Sequence, residues 1–64
     1  MTPKKTLSQR EAELRALLAT PEGRAELEGL ASRYAAAGGA VRSRRSSVVT
    51  YILVYERSRG LIAG

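Results

Sequence analysis

Val48-Val49-Thr50-Tyr51-Ile52-Leu53-Val54-Tyr55-Glu56-Arg57-Ser58-Arg59 is the stretch on which the fold turns. Its β-branched and aromatic residues favour a strand. Its flanks favour a helix. Ser46 or Ser47 stands where an N-cap belongs, and Arg57 and Arg59 stand where cations suit a helix C-terminus. Gly60, followed by Leu61 and Ile62, reads as a C-cap with its apolar contact. A strand here would need a partner, and only Ala40–Ser43 or the same segment of a second chain could supply one. The segment is therefore read as a helix over about 47–59, with two helices plus a strand or hairpin at 40–57 as the alternative. As a helix it is apolar nearly all round: Val48, Ile52 and Tyr55 line one side, Val49 and Leu53 the next. Such a helix is buried against more than one neighbour, and a second copy of the chain is the expected source of part of that cover.

Working back toward the N-terminus, Gly38-Gly39 closes a clear amphipathic pattern. Leu27, Leu30, Ala31, Tyr34 and Ala35 fall at i, i+3, i+4, i+7 and i+8, and Thr20-Pro21-Glu22 supplies a cap, a proline at the first helical position and an acidic first turn. The second helix is expected over 21–37. Gly29 inside it marks either a close helix crossing or a tolerated exposed position. Ahead of it, Leu14, Leu17 and Leu18 share a face, and Glu11–Arg15 is a favourable i,i+4 pair. Ser8 and Glu11 have capping-box spacing, with Leu7 placed as a staple, which predicts a first helix over about 9–19. Residues 1–6 read as a disordered basic tail and 38–47 as a basic connector. The fold class is thus an all-α domain of three helices, expected to be a homodimer.

Size and composition narrow the function. A chain of 64 residues forms one domain whose core supplies only about 3–5 kcal/mol. With no cysteine and no histidine, disulfides, thiolate or imidazole metal sites and a histidine base are all excluded. Lys4 and Lys5, the remaining bases for a nucleophilic serine, lie in the expected tail. Glu11, Glu13, Glu22, Glu26 and Glu28 read as a solvated face, and no glycine-rich phosphate loop is present. The reading is a binding protein without catalytic residues, cofactor or metal. Met1–Thr6 lacks the apolar run of a signal peptide, and no apolar stretch approaches the roughly 20 residues of a membrane span, so a cytoplasmic location is expected.

Charge points to the partner. The net charge is +5, and residues 38–64 carry five arginines against the single Glu56. Arg42, Arg44 and Arg45, interleaved with Ser43, Ser46 and Ser47, stand just before a helix start, where free N–H groups, hydroxyls and the dipole suit phosphate. Arg57 and Arg59 would extend that surface at the other end. Two helices followed by a third resemble the helix-turn-helix class in layout, although the connector of about nine residues is longer than that class uses. The expected function is a nucleic-acid-binding module in which Arg42, Arg44, Arg45, Arg57 and Arg59 meet phosphates. The alternative is a protein–protein module, an adaptor, inhibitor or antitoxin-like partner, docking through the apolar segment 48–55. Tyr34, Tyr51 and Tyr55 could stack on bases of a single strand, but at helical spacing beside Ile and Leu they read as core residues with their hydroxyls at its edge. Membrane-surface binding fits less well, because no helix pairs its arginines with a broad apolar stripe.

Overall fold

The computed structural model describes residues 4–41 and 47–63. Its elements are α1 (Leu7–Leu18), α2 (Pro21–Ala36) and α3 (Val48–Ser58), each packed on the other two. Over Val48–Ser58 the chain is helical, so the strand alternative is not adopted there. The flanking signals decide it. Ser47 Oγ accepts the Thr50 N–H at 3.1 Å, and the far end closes through Leu61 N–H to Glu56 C=O at 2.8 Å and Gly60 N–H to Arg57 C=O at 3.1 Å. Gly60 sits at φ 71°, a conformation costly for any residue with a Cβ.

α2 starts and stops as its sequence indicates. Thr20 Oγ1 accepts the Gly23 N–H at 3.0 Å, Pro21 is the first helical residue, and Gly38 at φ 98° turns the chain out. α1 starts earlier than expected. Its cap is Thr6, not Ser8. Thr6 Oγ1 accepts the Gln9 N–H at 3.2 Å and Gln9 Oε1 accepts the Thr6 N–H at 3.0 Å. Leu7 is therefore the first helical residue and not a staple ahead of the cap. The reason is tertiary. Leu7 N–H donates to Ala63 C=O at 3.0 Å and Ala63 N–H to Lys5 C=O at 2.8 Å, forming an isolated parallel bridge between Thr6 and Ala63. Lys5 and Thr6, assigned to the tail by sequence, are thus backbone-paired to the other end of the chain.

The core is Leu14 from α1, Leu27 and Ala31 from α2, and Val48, Val49 and Ile52 from α3, with Leu17, Leu18, Leu30, Tyr34, Tyr51 and Leu53 packed around it. Ile62, not Leu61, supplies the apolar contact after α3: Ile62 is buried and Leu61 exposed. The burial of α3 that the sequence reading assigned in part to a second chain is met within one chain, because α1 and α2 both cover it. α1 and α2 meet at a tight corner built on Gly23. A Cβ there would lie 2.0 Å from the Leu17 carbonyl oxygen. Gly29 faces open space, so the close crossing belongs to Gly23. Among the described residues no helix is long and apolar enough to cross a membrane.

Candidate nucleic-acid interface

Glu56 follows Val48 and Ile52 at i+8 and i+4, so its position on α3 belongs to the buried stripe. Its carboxylate is buried, with only 3% of the residue exposed. A buried carboxylate requires a partner, and Arg10 of α1 supplies one in fork geometry: Nε donates to Oε1 and Nη2 to Oε2, both at 2.8 Å. Tyr34 of α2 adds its hydroxyl, donating to Oε2 at 2.5 Å. One carboxylate thereby joins all three helices. Arg10 also pairs with Glu13, which in turn pairs with Lys5.

The electrostatics follow from this geometry. Burial pushes the Glu56 carboxyl up, but the Arg10 and Tyr34 hydrogen bonds together with the Arg10 charge outweigh it and hold the group below the usual carboxylate range. Arg10 is held more firmly protonated, first by its hydrogen bond to Glu56. The Tyr34 hydroxyl is pushed up to about 12, by burial first and then by the hydrogen bond to Glu56. Glu13 is lowered by Lys5 and Arg10.

This network shapes the outer surface. Lys5 and Arg10 are spent on Glu13 and Glu56, and Arg15 pairs with Glu11 at 2.9 Å. The single carboxylate of residues 38–64 is therefore turned inward and neutralised there. Among the described residues Arg57 and Arg59 form no ion pair. They emerge on different sides of α3. Arg57 edges a shallow groove with Leu7, Thr50, Leu53 and Glu11, the last paired with Arg15. Arg59 lies over the Tyr55 ring, 5.0 Å from its centroid, while Tyr34 stacks on Tyr55 at 4.0 Å and 11°. Val54, 62% exposed, forms the ridge between the two. Lys4 reaches the same end of the helix, with Nζ 3.9 Å from where a Gly60 Cβ would stand.

Of the residues singled out from sequence, Arg57 and Arg59 thus share the C-terminal end of α3. Arg42, Arg44 and Arg45 lie outside the described residues, between exposed Val41 and the Ser47 cap. Tyr34 and Tyr51 pack against the core, and the Tyr51 hydroxyl donates to the Ala40 carbonyl. The Arg10–Glu56–Tyr34 network escaped the sequence reading. Its signal was present: Glu56 is a charge on the apolar stripe of the most apolar helix, and such a charge demands a partner. Among the described residues no acidic cluster could hold a metal ion. Compared with known proteins, the chain matches no family model, no curated protein and no solved structure.

Proposed function

We propose that this protein binds nucleic acid through its phosphate backbone, using the cations around α3. One observation carries the reading: Glu56, the one acidic side chain of residues 38–64, is buried against Arg10 and does not offset exposed Arg57 and Arg59. Arg44 and Arg45 precede the Ser47 cap by three and two residues, and Arg57 and Arg59 follow at the far end. An 11-residue helix is about 16 Å long, against a major groove about 12 Å wide. Arg57 and Arg59 stand at one end of that length, and Arg44 and Arg45 come just before its other end in sequence, which suits contacts to phosphates along a groove. The exposed positions Thr50, Val54 and Ser58 offer few hydrogen bonds to base edges, which favours binding with little sequence preference.

The test is fluorescence anisotropy with random duplex DNA and RNA over a salt series. Affinity should fall steeply with salt, at a log–log slope of about −0.9 per phosphate contact on duplex DNA. Arg44→Ala/Arg45→Ala should flatten that slope by about two. Binding that ignores salt, or no binding at about 50 mM salt, overturns the reading.

A second reading rests on Val54, which is 62% exposed and lines a groove with half-buried Leu7 and Leu53. This apolar face could dock a second copy of the chain, giving the homodimer that the sequence suggested. Only part of segment 48–55 is free for it, since Val48, Val49 and Ile52 are in the core. Sedimentation equilibrium decides: a monomer mass at about 100 µM, well above typical working concentrations, removes this reading.

A further inference from the structure

Resting on the nucleic-acid reading, we infer that the cleft between the Gly38–Ala40 turn and α3 receives one unpaired nucleobase, stacked on the outer face of Tyr55 beneath Arg59, so that single strands are preferred over duplexes. The cleft holds about 230 Å³ and is lined by Gly39, Ala40, Tyr51, Tyr55, Ser58 and Arg59. Tyr34 closes one face of the Tyr55 ring at 4.0 Å, which fixes the ring's plane. Arg59 lies over the ring, its guanidinium carbon 5.0 Å from the centroid, and is exposed and lacks a carboxylate partner among the described residues. Arg59 is the C-cap of α3, at the exposed end of the helix. Its side chain can lift by one ring thickness and settle on the far side of an inserted base. The result is a continuous stack: Tyr34, Tyr55, base, guanidinium.

The surroundings suit a base better than another flat ligand. Arg59 supplies both a π-stacking plane and a charge for the adjoining phosphate. The Tyr51 and Ser58 hydroxyls already donate, to Ala40 and Tyr55 carbonyls, so their oxygens remain acceptors for the N–H groups of a base edge. The wall has no side chain in the way. A Cβ on Gly39 would stand 3.0 Å from Tyr55 Cδ2 and 3.2 Å from the Tyr51 hydroxyl, so glycine lets the turn close on both rings. A base within a duplex shows only its edges and cannot use the face of Tyr55, whereas an unpaired base can.

The experiment uses the whole chain and four probes at one salt concentration: a labelled ten-nucleotide thymidine strand, its abasic counterpart with identical phosphates, a ten-base-pair duplex and a mononucleotide. A base on an aromatic ring is worth roughly tenfold in affinity, so the thymidine strand should bind about tenfold tighter than the abasic strand and the duplex. It should also shift the Tyr55 ring-proton resonances upfield. The mononucleotide should produce the same shift only at much higher concentration, because it carries one phosphate. Arg59→Lys keeps the charge and loses the plane, and should cut the preference for the thymidine over the abasic strand by threefold or more. Tyr55→Leu should abolish it in protein that retains its helical circular dichroism; Arg59→Lys carries the test if that variant does not fold. Equal binding of thymidine and abasic strands, with the Tyr55 resonances unmoved, overturns the inference. If all phosphate-bearing strands then still bind in a salt-dependent way, the proposed function survives it. If none binds, both fall. A mononucleotide that binds as tightly as the strand also overturns it, by making the cleft a nucleotide pocket and not a strand site.

Discussion

Glu56 is the residue on which most of this structure depends. Its carboxylate lies within a core supplied, among the described residues, by seven buried apolar side chains, and Arg10 and Tyr34 make it tolerable there. Glu56→Gln leaves the half-buried Arg10 without its main counter-charge and should cost about 3 kcal/mol, a large share of the stability open to a domain this small. Removing both charges in Arg10→Met/Glu56→Leu should cost less than Arg10→Met or Glu56→Leu alone, because neither charge is stranded. Urea denaturation of the three variants checks this, and a double variant worse than both singles would refute it. The two α2 glycines at 23 and 29 give a matched pair. Gly23→Ala drives a methyl into the Leu17 carbonyl and should destabilise by about 3 kcal/mol, since backbone and not a flexible side chain must move. Gly29→Ala meets nothing and should stabilise by about 0.5–1 kcal/mol. Opposite signs of ΔTm for the two variants are the expected outcome.

At the scale of elements, the start of α1 is a choice between two overlapping capping boxes. Thr6-Leu7-Ser8-Gln9 and Ser8-Gln9-Arg10-Glu11 both satisfy the spacing. The first is used because Thr6 is held in extended conformation at φ −75°, ψ 164° by its bridge to Ala63. Thr6→Ala should therefore cost about 1 kcal/mol and Ser8→Ala close to nothing. Equal losses in thermal melts would show that the upper box is in use in solution. α3 shows the converse case, an element whose ends outweigh its middle. Its β-branched run carries a weak strand preference, worth about 1 kcal/mol or less per residue in either direction and dependent on context. The Ser47 cap and the two C-terminal bonds around Gly60 act at defined positions, and packing on α1 and α2 covers the apolar surface without any ladder partner.

For the whole molecule, the same ionisations set a pH window. Glu56 and Glu13 have folded-state pKa values below the ordinary 4.5, so below about that pH the unfolded chain binds more protons and stability falls with acidification. Tyr34 moves the other way. Unfolded it ionises near 10 and folded near 12, so stability is lost as pH rises through that interval. Tm measured by circular dichroism should hold a plateau between about pH 5 and 10 and drop on both sides. Glu56→Gln should shallow both limbs, because Tyr34 loses its acceptor's charge and the acid limb keeps only Glu13. An unchanged alkaline limb in that variant would mean that burial alone raises Tyr34.

What the chain determines locally was legible in it: the class of fold, α2 almost to the residue, the glycine C-caps and the uneven distribution of net charge. These depend on neighbours within a turn or two, and the physics of caps, proline and apolar periodicity acts over that range. Other features depended on residues far apart in sequence. Thr6 caps α1 because Ala63 lies beside it, Gly23 is required because Leu17 folds back over it, and α3 is covered by its own chain because two helices reach it at once. The candidate site divides in the same way. The sequence placed the excess of positive charge in residues 38–64, but only the pairing of Glu56 with Arg10, 46 positions apart, leaves Arg57 and Arg59 without an ion pair among the described residues. A carboxylate's position in sequence does not say whether it faces water or a guanidinium; burial decides that, and burial is a property of the assembled helices.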